Sequence, residues 1–306
     1  MVAPPVESRV IGVDVGGTKI LAGTVGRDGS ITLHREYPTP LDTEDALLDG
    51  LEAAVREHLD ESVVAVGFGI PSRIDQRTGT AIGSVNIPLV DVPFRNVMTD
   101  RLGLPVAIEN DGNAAAIAEW QAGAGRGAVD MVMLTLGTGV GGGLILGGRP
   151  YRGSIGAGAE LGHVVLVHDG VRCSCGGYGH LESYVSGKAA DEIAREAFGP
   201  AADAHRLVRL ANEGDPTANE LMHEIGRRLG SGLGSIVNAY DPELIVIGGG
   251  FAAAGELLLA PAREVMEREA LKPIREGMRV VRAELGTAAG LIGAAFVAFE
   301  ALDASS

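Results

Sequence analysis

The chain has few cysteines and few aromatic residues. Its only two cysteines, Cys173 and Cys175, are separated by one residue, so a disulfide between them would be strained. Free or metal-bound thiols in a reducing cytoplasm are therefore expected. Aromatic residues make up 4% of the 306 residues, whereas all hydrophobic residues together make up 46%. This composition predicts a core built from aliphatic side chains.

The chain also lacks an excess of positive charge. A formal net charge of -15 argues against a nucleic-acid partner, because nucleic-acid grooves are rich in Lys and Arg. A phosphate ligand remains compatible with this charge if Mg²⁺ and backbone N–H groups surround it locally. No basic segment followed by an apolar run opens the sequence, and glycine or charge interrupts the apolar stretches. We therefore expect a cytoplasmic protein with no signal peptide, no membrane span and no membrane partner.

The length and the order of the predicted elements indicate two α/β domains. We expect a smaller domain over residues 1–118, joined by the C-terminal helix at about 290–306, and a larger one over 119–289. Hydrophobic periodicity and turn signals define the elements. The predicted strands are 9–15, 20–26, 30–37, 63–71, 104–110, 130–136, 144–148, 243–250 and 278–285. The predicted helices are 44–59, 111–120, 216–239 and 288–302.

Three glycine-rich turns follow apolar strands, at DVGGTK (14–19), GTGVGGG (137–143) and IGGGF (247–251). A dinucleotide-binding turn requires a helix after it, but a strand is predicted after residue 143, and no Walker motif occurs. Ordinary tight hairpins are the alternative. Turns without side chains let backbone N–H groups approach phosphates, which favours a triphosphate site with Asp14 holding Mg²⁺. The candidate ATP residues are Gly16, Gly17, Thr18, Lys19, Gly137, Thr138, Gly139, Gly249 and Gly250.

Asp111 directly follows a predicted strand and begins a predicted helix. Such a rigid position suits a general base that accepts a proton from a substrate hydroxyl. Asp is also a common N-cap residue, so Asp111 could simply cap the helix. The residues alone leave both interpretations open.

Six motifs together resemble the ROK family of bacterial sugar kinases and repressors, in the family's order and over nearly the whole chain. The resemblance implies an actin-like, ribonuclease-H-like ATPase fold in which two α/β domains close over sugar and ATP. It also implies a cytoplasmic homodimer or homotetramer. Family repressors carry a helix-turn-helix before the first turn, and thirteen residues precede Asp14, so a kinase is expected. The motifs are DVGGTK, ENDGNAAAIAE (109–119), GTGVGGG, GAELGH (158–163), CSCGGYGHLE (173–182) and DPELIVIGGG (241–250).

The resemblance also implies an activity and residue roles. It favours Asp111 as the catalytic base in ATP-dependent phosphorylation of a hexose 6-hydroxyl, with glucose as the expected substrate. The alternatives are N-acetylmannosamine, mannose, fructose or allose as substrate, polyphosphate as donor, and a non-catalytic sugar sensor. Ser72 stands where the family usually has glycine, at the edge of the sugar pocket. The residues implied to bind the sugar are Asn86, Asn110, Glu160, His163 and Glu182.

A metal site is implied by the same resemblance. The family holds its metal with the histidine of a Gly-His pair and three cysteines, and a histidine replaces the third cysteine here. Zn²⁺ accepts sets of two cysteines and two histidines, so zinc is expected, orienting His163 and Glu182 toward the sugar. Loss of the metal, or ligation by His168, are the alternatives. The expected ligands are His163, Cys173, Cys175 and His180.

Overall fold

The computed structural model describes residues 8–84, 86–273 and 276–305, which fold into two compact units. Unit 1 comprises Met1–Gly127, Pro150–Ala159 and Thr287–Ser306, and unit 2 comprises Ala128–Arg149 and Glu160–Gly286. The strands are β1 (Arg9–Val15), β2 (Lys19–Val25), β3 (Ile31–Pro38), β4 (Val63–Ile70), β5 (Arg73–Asp75), β6 (Thr80–Gly83), β7 (Val90–Val92), β8 (Val106–Asn110), β9 (Met131–Leu136), β10 (Val140–Ile145), β11 (Leu244–Gly248) and β12 (Arg279–Arg282). The α-helices are α1 (Glu44–Arg56), α2 (Phe94–Leu102), α3 (Asp111–Ala122), α4 (Glu182–Val185), α5 (Gly187–Phe198), α6 (Ala204–Asn212), α7 (Pro216–Tyr240), α8 (Glu256–Glu269) and α9 (Ala289–Ser305).

Each unit contains a mixed sheet built on the same plan. In unit 1 the strand order is β3-β2-β1-β4-β8, with β1 antiparallel to β2 and parallel to β4, and β4 parallel to β8. In unit 2 the order is β10-β9-β11-β12, with β9 antiparallel to β10 and parallel to β11. A hairpin followed by two parallel strands thus occurs twice, which explains the repeated strand, glycine turn and strand in the sequence.

The structure corrects the extent of the second glycine turn. The returning strand β10 spans Val140–Ile145, whereas the sequence analysis placed it at 144–148. Gly142 pairs with Leu134 in the antiparallel ladder, and a Cβ at 142 would collide with the backbone of Met133. The glycines after position 140 therefore lie in a strand, where Gly142 permits close packing, and the turn itself is limited to residues 137–139.

Glycines also set the packing of α7 on α8 in unit 2. Gly226, Gly230 and Gly234 follow one another at four-residue intervals on α7 and therefore share one face of the helix. A Cβ added at any of these three positions would collide with α8. This glycine face lets the backbones of the two helices approach closely.

Helix α9 is a core element of unit 1. Residues Gly286–Ala304 are long and apolar enough to cross a membrane, so the prediction that no stretch has this length is wrong. However, 61% of that window is buried inside the structure. Gly12 of β1 and Gly67 of β4 leave room for the helix backbone, because a Cβ at either would collide with an α9 carbonyl. This close packing is the behaviour of a core helix in a globular unit.

A buried histidine, His58, lies two residues after the end of α1 in unit 1. His58 is 5% exposed, and its Nδ1 has no hydrogen-bond partner among the described residues. Its Nε2 lies 3.2 Å from the Tyr37 hydroxyl. Burial lowers the pKa of His58, because the imidazolium cation is poorly solvated there. The unfolded chain therefore binds a proton more readily than the folded one, and the unfolding free energy should fall as the pH drops below about 6.5.

We predict that His58→Phe reduces this loss of stability. Phe cannot be protonated, so the variant should lose less unfolding free energy than wild type between pH 6.5 and pH 5. Urea unfolding at half-unit pH steps measures the difference. Equal pH slopes in the two proteins would contradict the prediction.

Candidate functional site

Two aspartates lie at the carboxyl ends of strands in the large sheet of unit 1. Asp14 is near the end of β1 and Asp111 directly follows β8, and both strands run parallel to β4 between them. Burial, reinforced by repulsion from Asp111, raises the pKa of Asp14 to about 7, although Lys19 opposes the shift. The structure therefore brings together the residues predicted to hold Mg²⁺ and to act as the base.

The first turn of α3 decides whether Asp111 is a helix cap. The N-cap is Asn110, whose Oδ1 accepts hydrogen bonds from the N–H groups of Gly112 at 3.0 Å and Asn113 at 3.1 Å. Asp111 is the first helical residue, and its carboxylate accepts the Gly112 N–H at 2.9 Å. The capping interpretation of Asp111 is wrong. Asn110 instead makes the cap, and its amide nitrogen lies 3.4 Å from the Ser72 carbonyl oxygen.

The first glycine turn lies beside Asn86 in unit 1. The Gly16 N–H donates to the Lys19 carbonyl at 2.9 Å and closes the β1–β2 turn. A Cβ added at Gly17 would lie 3.5 Å from the Asn86 carbonyl oxygen, so these two residues are neighbours. The Asn86 side chain is exposed, and Lys19 forms an ion pair with Glu36. A residue predicted to bind sugar therefore adjoins a turn predicted to bind phosphate.

The ion pair between Arg152 and the buried Glu109, the residue before Asn110, was not predicted from the sequence. Glu109 is fully buried, and its carboxylate accepts hydrogen bonds from Arg152 Nε at 2.5 Å and from the Asn110 N–H at 3.0 Å. Attraction to Glu109 and Glu300 outweighs burial and raises the pKa of Arg152. The only sequence signal was a charged residue inside the apolar strand VAIEN. This pair fixes the end of β8, from which Asn110 and Asp111 project.

Arg152→Met should destabilise unit 1 strongly. The change would leave the Glu109 carboxylate buried without its cation, which typically costs about 3–5 kcal/mol. Chemical denaturation of both proteins at pH 7 measures the effect. Arg77→Met is a matched control, because Arg77 pairs with Asp75 at the surface, where solvent screening leaves an ion pair with little effect on stability. Equal losses in the two variants would contradict the importance of the buried pair.

In unit 2 the second and third glycine-rich segments lie together. The Gly137 N–H donates to the Gly139 carbonyl at 2.9 Å, which forms the tight turn between β9 and β10. Gly249 has a φ of 84°, and a Cβ there would lie 2.5 Å from the backbone of Leu136. The third segment is not a hairpin, because a 3-10 helix from Gly250 to Ala254 follows it. The structure thus gathers the predicted ATP residues of unit 2 at one end of its sheet.

Four predicted metal ligands also form a cluster in unit 2. The Cys173 Sγ lies 3.8 Å from His163 Nδ1, and the Cys175 Sγ lies 3.2 Å from His180 Nδ1. One donor atom from each of the four residues lies within 4.8 Å of all the others. Tetrahedral Zn²⁺ with bonds of about 2.0–2.3 Å requires ligand separations of about 3.3–3.8 Å, so the donor set suits this ion. His168 is exposed and lies outside the cluster.

The remaining predicted sugar residues of unit 2, Glu160 and Glu182, flank the cluster residues in the chain. Glu160 is exposed and precedes a short 3-10 helix, Leu161–His163, in which its carbonyl accepts the His163 N–H at 3.1 Å. Glu182 begins α4, and its carboxylate accepts the Val140 N–H at 3.0 Å. The structure therefore connects Glu182 to the glycine turn, a contact that sequence reasoning missed.

Comparisons with known proteins agree with this arrangement. Residues 10–301 match the model of the ROK family. The chain is 36% identical to a glucokinase of Streptomyces coelicolor, over 95% of this chain and 97% of that one. It is 37% identical to a ROK family glucokinase from Streptomyces griseus solved in complex with glucose and AMPPNP, with a TM-score of 0.86 and coverage of 96% and 100%. A ROK hexokinase from Thermus thermophilus is 38% identical, with a TM-score of 0.83 and coverage of 97% and 99%.

Proposed function

Because the chain belongs to the ROK family of actin-like α/β proteins, we propose that it is an ATP-dependent hexose kinase that converts glucose to glucose 6-phosphate. The observation that carries the proposal is the pair Asp14 and Asp111 at the ends of β1 and β8, the two strands on either side of β4, where Asp111 helps to raise the pKa of Asp14. Glucokinase relatives at about 36% identity over almost the full chain support glucose as the sugar. The complex of such a relative with AMPPNP supports ATP as the donor.

The proposed reaction is an in-line phosphoryl transfer. Asp111 accepts the proton of the sugar 6-hydroxyl while the hydroxyl oxygen forms a bond to the γ-phosphorus. The bond between the γ-phosphorus and the β–γ bridging oxygen breaks, and ADP leaves. Asp111 suits this role because α3 fixes its backbone and Asn110 already supplies the helix cap.

Backbone groups and hydroxyls would bind the phosphates. We assign this role to Gly16, Gly17 and Thr18 in unit 1, with Lys19 adding a positive charge, and in unit 2 to Gly137, Thr138, Gly139, Gly249 and Gly250. Asp14 would hold Mg²⁺, which screens the charge of the triphosphate when it is bound. The raised pKa of Asp14 is consistent with a cation-binding carboxyl group, because a cation bound nearby would favour its ionised form.

Sugar hydroxyls both donate and accept hydrogen bonds, so the sugar site needs several polar side chains. The family resemblance assigns them to Asn86, Asn110, Glu160, His163 and Glu182. Zn²⁺ would be held by the two cysteines with His163 and His180. Burial raises the pKa of the Cys173 thiol, so a bound cation would be required to keep it as thiolate.

We also propose a cytoplasmic location, where ATP is available and free thiols persist, and a homodimer or homotetramer as the family resemblance implies. No nucleic-acid partner is proposed, since the net charge is -15.

The position of phosphorylation tests the proposed reaction. Glucose and 6-deoxyglucose are to be compared as substrates at equal concentration with ATP and Mg²⁺. Only glucose should yield a sugar phosphate, and that product should be oxidised by glucose-6-phosphate dehydrogenase. Equal phosphorylation of 6-deoxyglucose would contradict transfer to the 6-hydroxyl.

A further inference from the structure

One glutamate of unit 2 contacts both the Cys/His cluster and the glycine turn that follows β9. The Glu182 carboxylate accepts the Val140 N–H at 3.0 Å through Oε2. Its other oxygen, Oε1, accepts the Ser174 hydroxyl at 3.0 Å and the Cys173 thiol at 3.4 Å. A single side chain therefore contacts Val140, directly after the turn, and Ser174, which lies between the two candidate cysteine ligands.

The glycine turn is shaped to receive this carboxylate. A Cβ added at Gly139 would lie 2.5 Å from Glu182 Oε2, so any larger residue at 139 would displace the glutamate. At the other end of the turn, the Gly187 N–H donates to the Gly137 carbonyl at 2.7 Å. Gly187 begins α5, and only Ser186 separates it from the short helix that Glu182 begins. The segment that follows the cluster thus holds the turn at both ends.

Occupancy of the cluster should fix this segment. Its four ligands come from the short 3-10 helix at 161–163 and from the loop 173–180, and a bound cation joins the two. Ser174 lies between the two cysteines, so fixing their sulfur atoms also fixes the hydroxyl that holds Glu182. A turn of small residues has many accessible conformations, and holding it in one conformation before binding reduces the entropic cost of binding.

We propose that Glu182 transmits metal occupancy of the cluster to the turn Gly137–Gly139, so that Zn²⁺ in the cluster strengthens binding of the nucleoside triphosphate. The inference rests on the proposed function, which assigns phosphate binding to this turn. It differs from the sequence-based expectation, in which the metal orients the sugar-binding residues. Couplings between two sites commonly change affinity about 5- to 150-fold. Because only one turn is restrained here, we expect Zn²⁺ to strengthen nucleotide binding by about 5- to 20-fold, near the lower end of that range.

The test measures AMPPNP binding in the absence of sugar, so that sugar contacts of Glu182 do not contribute. AMPPNP with Mg²⁺ is titrated calorimetrically into zinc-loaded protein and into protein depleted by a chelator and then dialysed. Depletion should weaken AMPPNP binding 5- to 20-fold in wild type and less than twofold in Glu182→Ala. Glu182→Gln should keep part of the effect, because its amide oxygen can still accept the Val140 N–H.

Thermodynamic reciprocity gives a second readout. If Zn²⁺ strengthens AMPPNP binding by a certain factor, AMPPNP must strengthen Zn²⁺ binding by the same factor. Competition for Zn²⁺ with a chromophoric chelator, with and without AMPPNP, measures that factor in wild type and in Glu182→Ala. The factor should be 5- to 20-fold in wild type and less than twofold in Glu182→Ala, and an undiminished factor in the variant would overturn the role of Glu182.

Each result decides a separate question. Equal AMPPNP affinity in loaded and depleted wild type, both folded by circular dichroism, would overturn the inference and leave the proposed kinase intact. An equal metal effect in Glu182→Ala would overturn the role of Glu182. No AMPPNP binding at any metal level would overturn the proposed function itself. If the depleted protein unfolds, AMPPNP affinity is measured instead in zinc-loaded Ser174→Ala, which keeps all four metal ligands but lacks the hydroxyl that contacts Glu182. Unchanged AMPPNP affinity in this variant would overturn the inference.

Discussion

Replacement of Asp111 by asparagine should lower kcat for glucose by about 10²- to 10⁴-fold, the range typical for loss of a general base. Asparagine has nearly the same shape, and its amide oxygen can still accept the Gly112 N–H at the start of α3. Because the backbone of the site is preserved, the dissociation constant for glucose should change by less than about threefold. Steady-state kinetics and calorimetric titration with glucose measure the two quantities.

Asp42→Asn is the matched control, because Asp42 is exposed and lies outside every element of the site. It should leave both kcat and glucose affinity unchanged. If Asp111→Asn kept more than a tenth of the wild-type kcat, Asp111 would not be the base. If it lost glucose binding together with turnover, the residue would serve binding rather than proton transfer.

Asp14→Asn should make the protein more stable without Mg²⁺ and far less active with it. Burial and repulsion from Asp111 raise the pKa of Asp14 from 3.8 to about 7. The folded state therefore holds this proton more tightly than the unfolded state, and the resulting stability is fully present below pH 3.8. It is lost as the pH rises through 7, at a cost on the order of 1–4 kcal/mol.

Asparagine at position 14 does not titrate, so the variant should not lose this stability between pH 4 and pH 8. Urea unfolding in EDTA at both pH values measures the difference. In the same variant, Mg²⁺ should no longer strengthen AMPPNP binding. Its kcat/KM should be at least about tenfold lower than that of wild type. A variant that is less stable than wild type at pH 8 would show that the Asp14 carboxylate is not under strain from burial.

The elements with strong local signals could be predicted from the sequence. Alternating or continuous apolar runs bounded by glycine and proline identified the central strands of both sheets. The predicted helix 216–239 begins with Asp-Pro, a typical helix start, and the structure shows the Asp215 side chain accepting the Ala218 N–H with Pro216 in the first turn of α7. These signals depend only on neighbours in sequence, which is why they were sufficient.

Elements that depend on distant partners could not be predicted. The small sheet β5–β7 consists of strands of three or four residues, too short for a periodic pattern. Residues 150–159 belong to unit 1 although they lie within the second half of the chain, and one link is the Gln76 N–H, which donates to the Ile155 carbonyl at 3.2 Å. Helix α8 contains Pro261, a residue that normally argues against a helix.

The candidate site was predicted in part. Glycine turns with Asp14, and Asp111 at a strand end, followed from residue types and order. The role of Asn110 as the cap required the backbone geometry of α3. The Glu182 contact with Val140 joins residues 42 positions apart and depends on the fold of unit 2. Hydrogen bonds at such separations leave no trace in local sequence.

A coupled assay of ADP release over a panel of sugars, with ATP and Mg²⁺, tests whether the protein is a hexose kinase and which sugar it phosphorylates. The panel contains glucose, mannose, fructose, allose and N-acetylmannosamine, and the protein is zinc-loaded and shown to be folded. We predict turnover with a maximum kcat/KM on glucose. A maximum on another sugar would contradict the assignment of glucose. Absence of turnover on every sugar, with ATP and with polyphosphate as donor, would contradict a hexose kinase and indicate a sugar sensor.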